Sequence, residues 1–86
     1  MDLDHLLHHY FGSDDPHAGG PDAFADGRDR LLLDFAIERD PGRRFALWVM
    51  MDALDCAPRP EDAFAKEPDL RRNAVAYLSA MRMRTD

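Results

Sequence analysis

The sequence predicts an all-α fold: a small bundle of four main helices with one short extra helical turn. Three observations carry this. Apolar residues recur at helical spacing in four stretches, Pro41, Pro60 and Pro68 stand where helices should begin, and no run of alternating β-branched residues argues for a strand. The expected helices span about 2–11, 22–39, 41–55, 60–66 and 68–83, all in one domain.

The first helix carries Leu3, Leu6, Leu7 and Tyr10 at i, i+3, i+4, i+7, with Asp2 or Asp4 as cap and Gly12 as stop. Ser13 to Pro21 is a loop by composition. The second helix should start near Asp22 or Asp26, with Gly27 weakening its first turn. Its body holds Leu31, Leu32, Leu33, Phe35, Ala36 and Ile37 over a wide arc, and Arg30, Asp34 and Glu38 form a polar stripe expected to face water. The short Glu-Arg-Asp-Pro-Gly turn then makes the second and third helices close neighbours.

The third helix organises the rest. Asp40 caps it and Pro41 sits at its first position, where a fixed φ and a missing N–H cost nothing. From Phe45 to Leu54 every residue except Asp52 is apolar, so side chains point inward all round the axis and the helix belongs at the centre of a bundle or in an interface. Ala57-Pro58-Arg59-Pro60 ends it in an extended kink. A short turn anchored by Phe64 follows, and then a last helix with Leu70, Ala74, Tyr77, Leu78 and Met81 on one face.

Composition narrows the function classes. Eighty-six residues at 45% hydrophobic and 33% charged describe one small globular domain, which buries roughly 60–65% of its unfolded surface. No apolar run approaches the ~20 residues of a membrane span, and the N-terminus lacks the basic region of a signal peptide, so no membrane and a cytoplasmic location are expected. Cys56, the single cysteine, rules out an internal disulfide. Net charge is −6, and residues 1–26 hold six Asp, all four His and no Lys or Arg. Such a head repels phosphates, so nucleic acid is not an expected partner. The second and third helices have the size of a helix-turn-helix, but only Arg43 and Arg44 would be free to read bases.

Trp48 is the sharpest anomaly. On a 100° wheel Arg44, Asp52 and Asp55 share an arc of about 80°, and Trp48 falls inside it. A tryptophan among an arginine, a carboxylate and Met51 has the composition of a binding hot spot, so Arg44, Trp48, Met51 and Asp52 are the candidate partner-binding residues. The competing arrangement has another helix covering the indole while Arg44 stacks on it. Asp52 should pair with Arg44 or Arg59 at the surface.

His5 and His9, at i, i+4, have metal-chelating spacing, with His17 and Asp4, Asp14 or Asp15 as further ligands. They project opposite the leucine stripe, and solvated surface histidines fit these positions better than a metal site. Cys56 reads as a small hydrophobe rather than a nucleophile. No nucleophile motif, Gly-rich phosphate loop or paired acid and base is present, so no enzyme and no cofactor are expected. The leading expectation is a protein–protein interaction or regulatory module acting through an apolar surface around Trp48, as a homodimer or with another protein. The alternative is a small-molecule or metal-ion binding accessory protein using the His-rich acidic head.

Overall fold

A computed structural model describes residues 3–84; the expected start at residue 2, and Asp2 as its cap, lie outside the described residues. Five helices follow in order: α1 Leu3–Phe11, α2 Pro21–Ile37, α3 Pro41–Ala53, α4 Pro60–Ala63 and α5 Pro68–Arg84. No strand occurs among the described residues, so the all-α bundle of four main helices and one short turn is the fold. None of the described helices is long and apolar enough to cross a membrane.

Proline sets where helices begin. Four of the five start on one, at Pro21, Pro41, Pro60 and Pro68, the position at which its ring is already helical and its absent N–H is not missed. Asp40 completes the signal for α3: its carboxylate accepts the Arg43 backbone N–H at 2.9 Å. Because a residue before proline avoids the helical region, Asp40 is extended, and Glu38 has already left the helix. The second helix therefore stops at Ile37 rather than 39. The fourth stops at Ala63 rather than 66, because Phe64 departs from helical geometry to enter the core, where it is fully buried.

At the end of α3 the chain makes a turn usually built on glycine. Asp55 has φ of 61°, its N–H donates to the Asp52 carbonyl at 3.0 Å, and the Cys56 N–H donates to the Met51 carbonyl at 2.9 Å. Those two bonds are the Schellman closure, with Asp in the left-handed place. Cys56, next in line, packs against the core.

The molecule is a slab of 35 × 35 × 20 Å, about two helix diameters thick. The third helix is its centre and packs against α1, α2 and α5. It supplies Leu47, Trp48, Met50 and Met51 to the core, joined by Leu31 and Phe35 from α2, Phe64, and Ala74 from α5. The first helix lies antiparallel on α2. Phe11 meets Gly27, Tyr10 meets Asp34, and His5 and Leu6 stand beside Ile37 and Glu38.

Gly27 is a point of close contact between the two helices. A Cβ there would lie 2.4 Å from a Phe11 ring carbon and 2.8 Å from the Tyr10 carbonyl oxygen. The helix runs unbroken through this glycine, because its missing side chain is what admits α1. Gly27→Ala should lower the melting temperature by roughly 5–10 °C. Overpacking of about 1–3 kcal/mol outweighs the ~1 kcal/mol helix-propensity gain. Thermal unfolding followed by circular dichroism checks this, and an unchanged or raised midpoint would mean that α1 docks elsewhere.

Candidate functional site

The arc of α3 expected to face a partner faces inward instead. Trp48 is 1% exposed and Met51 is fully buried, so in this fold neither side chain is open to a second molecule. The indole N–H donates to the Pro58 carbonyl at 2.9 Å. Its ring packs on Phe64, Phe45 and Tyr77, with centroids 5.8 to 6.0 Å away. The Cys56–Pro60 segment folds back to give the indole a hydrogen-bond acceptor, and α5 supplies the cover. Burying a tryptophan with its N–H satisfied is a stable use of its large apolar area.

The wheel misplaced Trp48 because Arg44, taken as a water-facing residue, is itself internal. Its side chain is 14% exposed. One guanidinium nitrogen (Nη1) donates to the Phe35 carbonyl at 2.8 Å and the Glu38 carbonyl at 3.3 Å, and the other (Nη2) to the Ala63 carbonyl at 2.8 Å. Nε lies 3.0 Å from a Glu67 carboxylate oxygen, within ion-pair reach though not aligned as a hydrogen bond. The guanidinium plane covers Phe35, with Cζ 4.3 Å from the ring centroid, and reaches towards Phe64 at 5.7 Å. Its stacking partners are thus these phenylalanines and not Trp48. The acceptors are the free carbonyls where α2 and α4 end, where a cation is favoured.

Asp52 is half-buried at the back of α3. The pairing expected for it goes elsewhere: Arg44 turns to Glu67, and Arg59 lies near Glu61 and Asp62. Of the four residues proposed from sequence, then, Arg44, Trp48 and Met51 build the interior, and Asp52 sits at its margin.

The concave surface lies on the other side of α3. A groove of about 380 Å³ opens between one face of α1, the C-terminal end of α2 and the first half of α3. Leu6 and Leu47 form its floor and Ile37 one edge. His5, His9, Tyr10, Asp34, Glu38 and Arg43 bring polar atoms around it. Tyr10 donates to an Asp34 carboxylate oxygen at 2.6 Å. Burial first, and that hydrogen bond second, push the Tyr10 hydroxyl well above its ordinary pKa.

Of the polar stripe assigned to water on α2, Arg30 is exposed as expected, whereas Asp34 and Glu38 are turned along this groove. Asp34 is half-buried against Tyr10, and the Glu38 carboxyl lies among the groove walls, 3.7 Å from Arg43. Part of the apolar arc takes the solvent side: Leu31 and Phe35 are buried, but Leu33 is 63% and Ile37 67% exposed. The second helix has more apolar arc than α1 and α3 can cover, and these two side chains, one turn apart, are the surplus. The tripled leucine at 31–33 followed by Ile37 was the sequence signal.

The histidines separate. His5 and His9 are exposed on the groove wall, His8 bonds to Asp14, and His17 stacks on Phe24 with ring centroids 4.5 Å apart. Among the described residues no group of three His, Cys, Asp or Glu comes close enough to hold a metal ion. Burial pushes the Cys56 thiol up in pKa, which keeps it protonated and unreactive. A second, shallower depression beside Arg44 is walled by Arg39, Lys66, Asp62 and Glu67, charges of both signs.

Comparison with known proteins finds no matching family model, no matching curated protein and no matching solved structure.

Two tests follow. Arg44→Ala should cost about 3 kcal/mol, since three carbonyls lose their shared donor and the Glu67 carboxylate loses its ion-pair partner. Arg44→Lys should recover less than half of that, because an ammonium cannot span both helix ends. Urea unfolding of the three proteins measures it, and full rescue by lysine would reduce Arg44 to a point charge. The second concerns pH. The folded chain holds the Tyr10 proton more tightly than the unfolded chain, so this contribution is complete below the unfolded value of about 10 and is lost as pH rises beyond it. Stability should fall above about pH 10 in the wild type and fall less steeply in Tyr10→Phe. Parallel curves in urea midpoint against pH would contradict that.

Proposed function

We propose that this chain is a small protein–protein interaction module, and that its contact surface is the α1–α2 groove together with the Leu33–Ile37 strip. The observation that carries the reading is the exposure of those two side chains, at 63% and 67%, one turn apart beside a groove floored by leucines. Scattered exposed apolar residues are ordinary on any protein. A strip of them beside a concave surface with a leucine floor and a polar rim is the composition of a contact site. Asp34, Glu38, Arg43 and the two histidines supply the polar rim that gives such a site orientation.

Trp48 enters this reading only indirectly, by fixing α3 so that α1 and α2 present the groove. The lining supports binding rather than catalysis. Its one hydroxyl, on Tyr10, keeps its proton more firmly than usual, the reverse of what a nucleophile or base requires. A small-molecule binding accessory is the second reading, favoured by the groove's volume of about 380 Å³, which falls in the range of ligand pockets.

The test is capture from native lysate with the wild type and a Leu33→Glu, Ile37→Glu double variant. Both positions are exposed, so the fold should survive. A partner specific to this surface should be retained at least about tenfold less by the variant, as expected when central apolar anchors are lost. Equal recovery by both proteins would remove the groove from consideration.

A further inference from the structure

Two groups of contacts hold α2 to α5 together, and neither includes a residue of α1. The Arg44 guanidinium joins the Phe35, Glu38 and Ala63 carbonyls and lies beside Glu67. The Trp48 indole reaches Pro58, Phe45, Phe64 and Tyr77. The N-terminal part of the chain is held differently. Among residues 3–20, Leu6 and Tyr10 alone are buried. The loop after α1 is tied into itself and into α1: the His17 N–H donates to Asp15 Oδ1 at 2.9 Å, the Ala18 N–H to the Asp15 carbonyl at 3.1 Å, and His8 pairs with Asp14. Across to α2 run the ring contacts of Phe11 and His17 with Phe24, the Phe11 ring at Gly27 and the Tyr10–Asp34 hydrogen bond. Gly20, left-handed at φ 93° with open space beside it, then joins the loop to Pro21, the start of α2. A segment with so little buried surface opens at a lower free energy than the core on which it rests.

We infer that α1 is a latched flap, which undocks as one unit while α2 to α5 stay folded. The Tyr10–Asp34 bond is its latch, residues 12–20 are its tether and Gly20 is its hinge. Leu6 and Tyr10 lie one turn apart on one face of α1, so the helix cannot release one and keep the other. A hydrogen bond from a phenol to a carboxylate is charge-assisted, and one such bond is strong enough to bias the equilibrium between docked and open. His5, Leu6, His9 and Tyr10 all line the groove, so each opening takes it apart and each closing rebuilds it. That switching rests on the reading of the groove as the contact surface; the opening itself does not.

The experiment is residue-resolved native-state hydrogen exchange on the full-length wild type, Tyr10→Phe and Arg44→Lys. Tyr10→Phe keeps the ring and removes the latch. The α1 amides from Leu7 to Phe11 should then all exchange about tenfold faster, the change expected for a lost hydrogen bond to a charged group. Arg44→Lys weakens the body instead. It should speed exchange in α3 and leave α1 unchanged, because an opening that keeps α2 to α5 folded does not involve Arg44. Should Arg44→Lys fail to fold, low urea on the wild type replaces it. Exchange in α3 should then rise steeply with urea and exchange in α1 only shallowly, since flap opening exposes little surface. Equal acceleration of α1 and α3 by Arg44→Lys, or equal urea slopes, would overturn the inference, because α1 would leave only with the whole protein. A graded pattern, with Leu7 fast and Phe11 slow, would also overturn it, in favour of a fraying end. Exchange in α1 that ignores Tyr10→Phe would remove the latch and the inference with it. Lysate capture decides the contact reading separately.

Discussion

A single guanidinium holds the slab together. Arg44 takes the loose carbonyls at the end of α2 with one nitrogen and that at the end of α4 with another, while its flat face covers Phe35. Helices of 17 and four residues that are distant in sequence thereby end on the same side chain. The aromatic cluster of Phe35, Phe64, Phe45 and Trp48 forms around that anchor. A thin protein has few places to hide a polar helix end, and a planar cation with five donors serves two of them at once.

Much of the architecture was legible from residues whose effect is local. Proline at a first helical position and aspartate at a cap act within one turn, so the start of α3 could be read to the residue. The apolar run from Phe45 to Leu54, interrupted only by Asp52, marks α3 as central, and the packing agrees. His5, His9 and Arg30 face solvent as their spacing predicts, but Arg44 and Asp34 do not. Arg44 was counted as a marker of the water side, and Trp48 was carried outward with it. The same assumption sends Asp34 and Glu38 to solvent. Arg44 and Asp34 are both bound by groups far away in sequence, a carbonyl 19 residues on and a phenol 24 residues back. No periodicity encodes those partners.

Glycine and aspartate at special positions were a smaller loss. Gly27 looked like a weak point of a helix and is instead a point of close contact. Asp55 occupies a conformation that L-residues adopt at a cost of about 1–2 kcal/mol, which asparagine and aspartate tolerate better than most. The spacing from Met51 to Cys56 alone does not reveal such a turn when glycine is absent.

The groove has a wall that does not stand on its own. The first helix is nine residues long, well short of the ~12–15 at which an isolated helix becomes even marginal in water. It persists because Leu6 and Tyr10 are buried against the body of the protein. Gly12, left-handed at φ 72°, then turns the chain away at its end. The side of α1 that faces the groove is the side still unfilled. Whatever occupies the groove therefore adds to the docking of α1, and whatever loosens α1 removes the groove. If the groove is occupied as proposed, occupancy and the folding of α1 form one linked equilibrium, and each draws the other to completion.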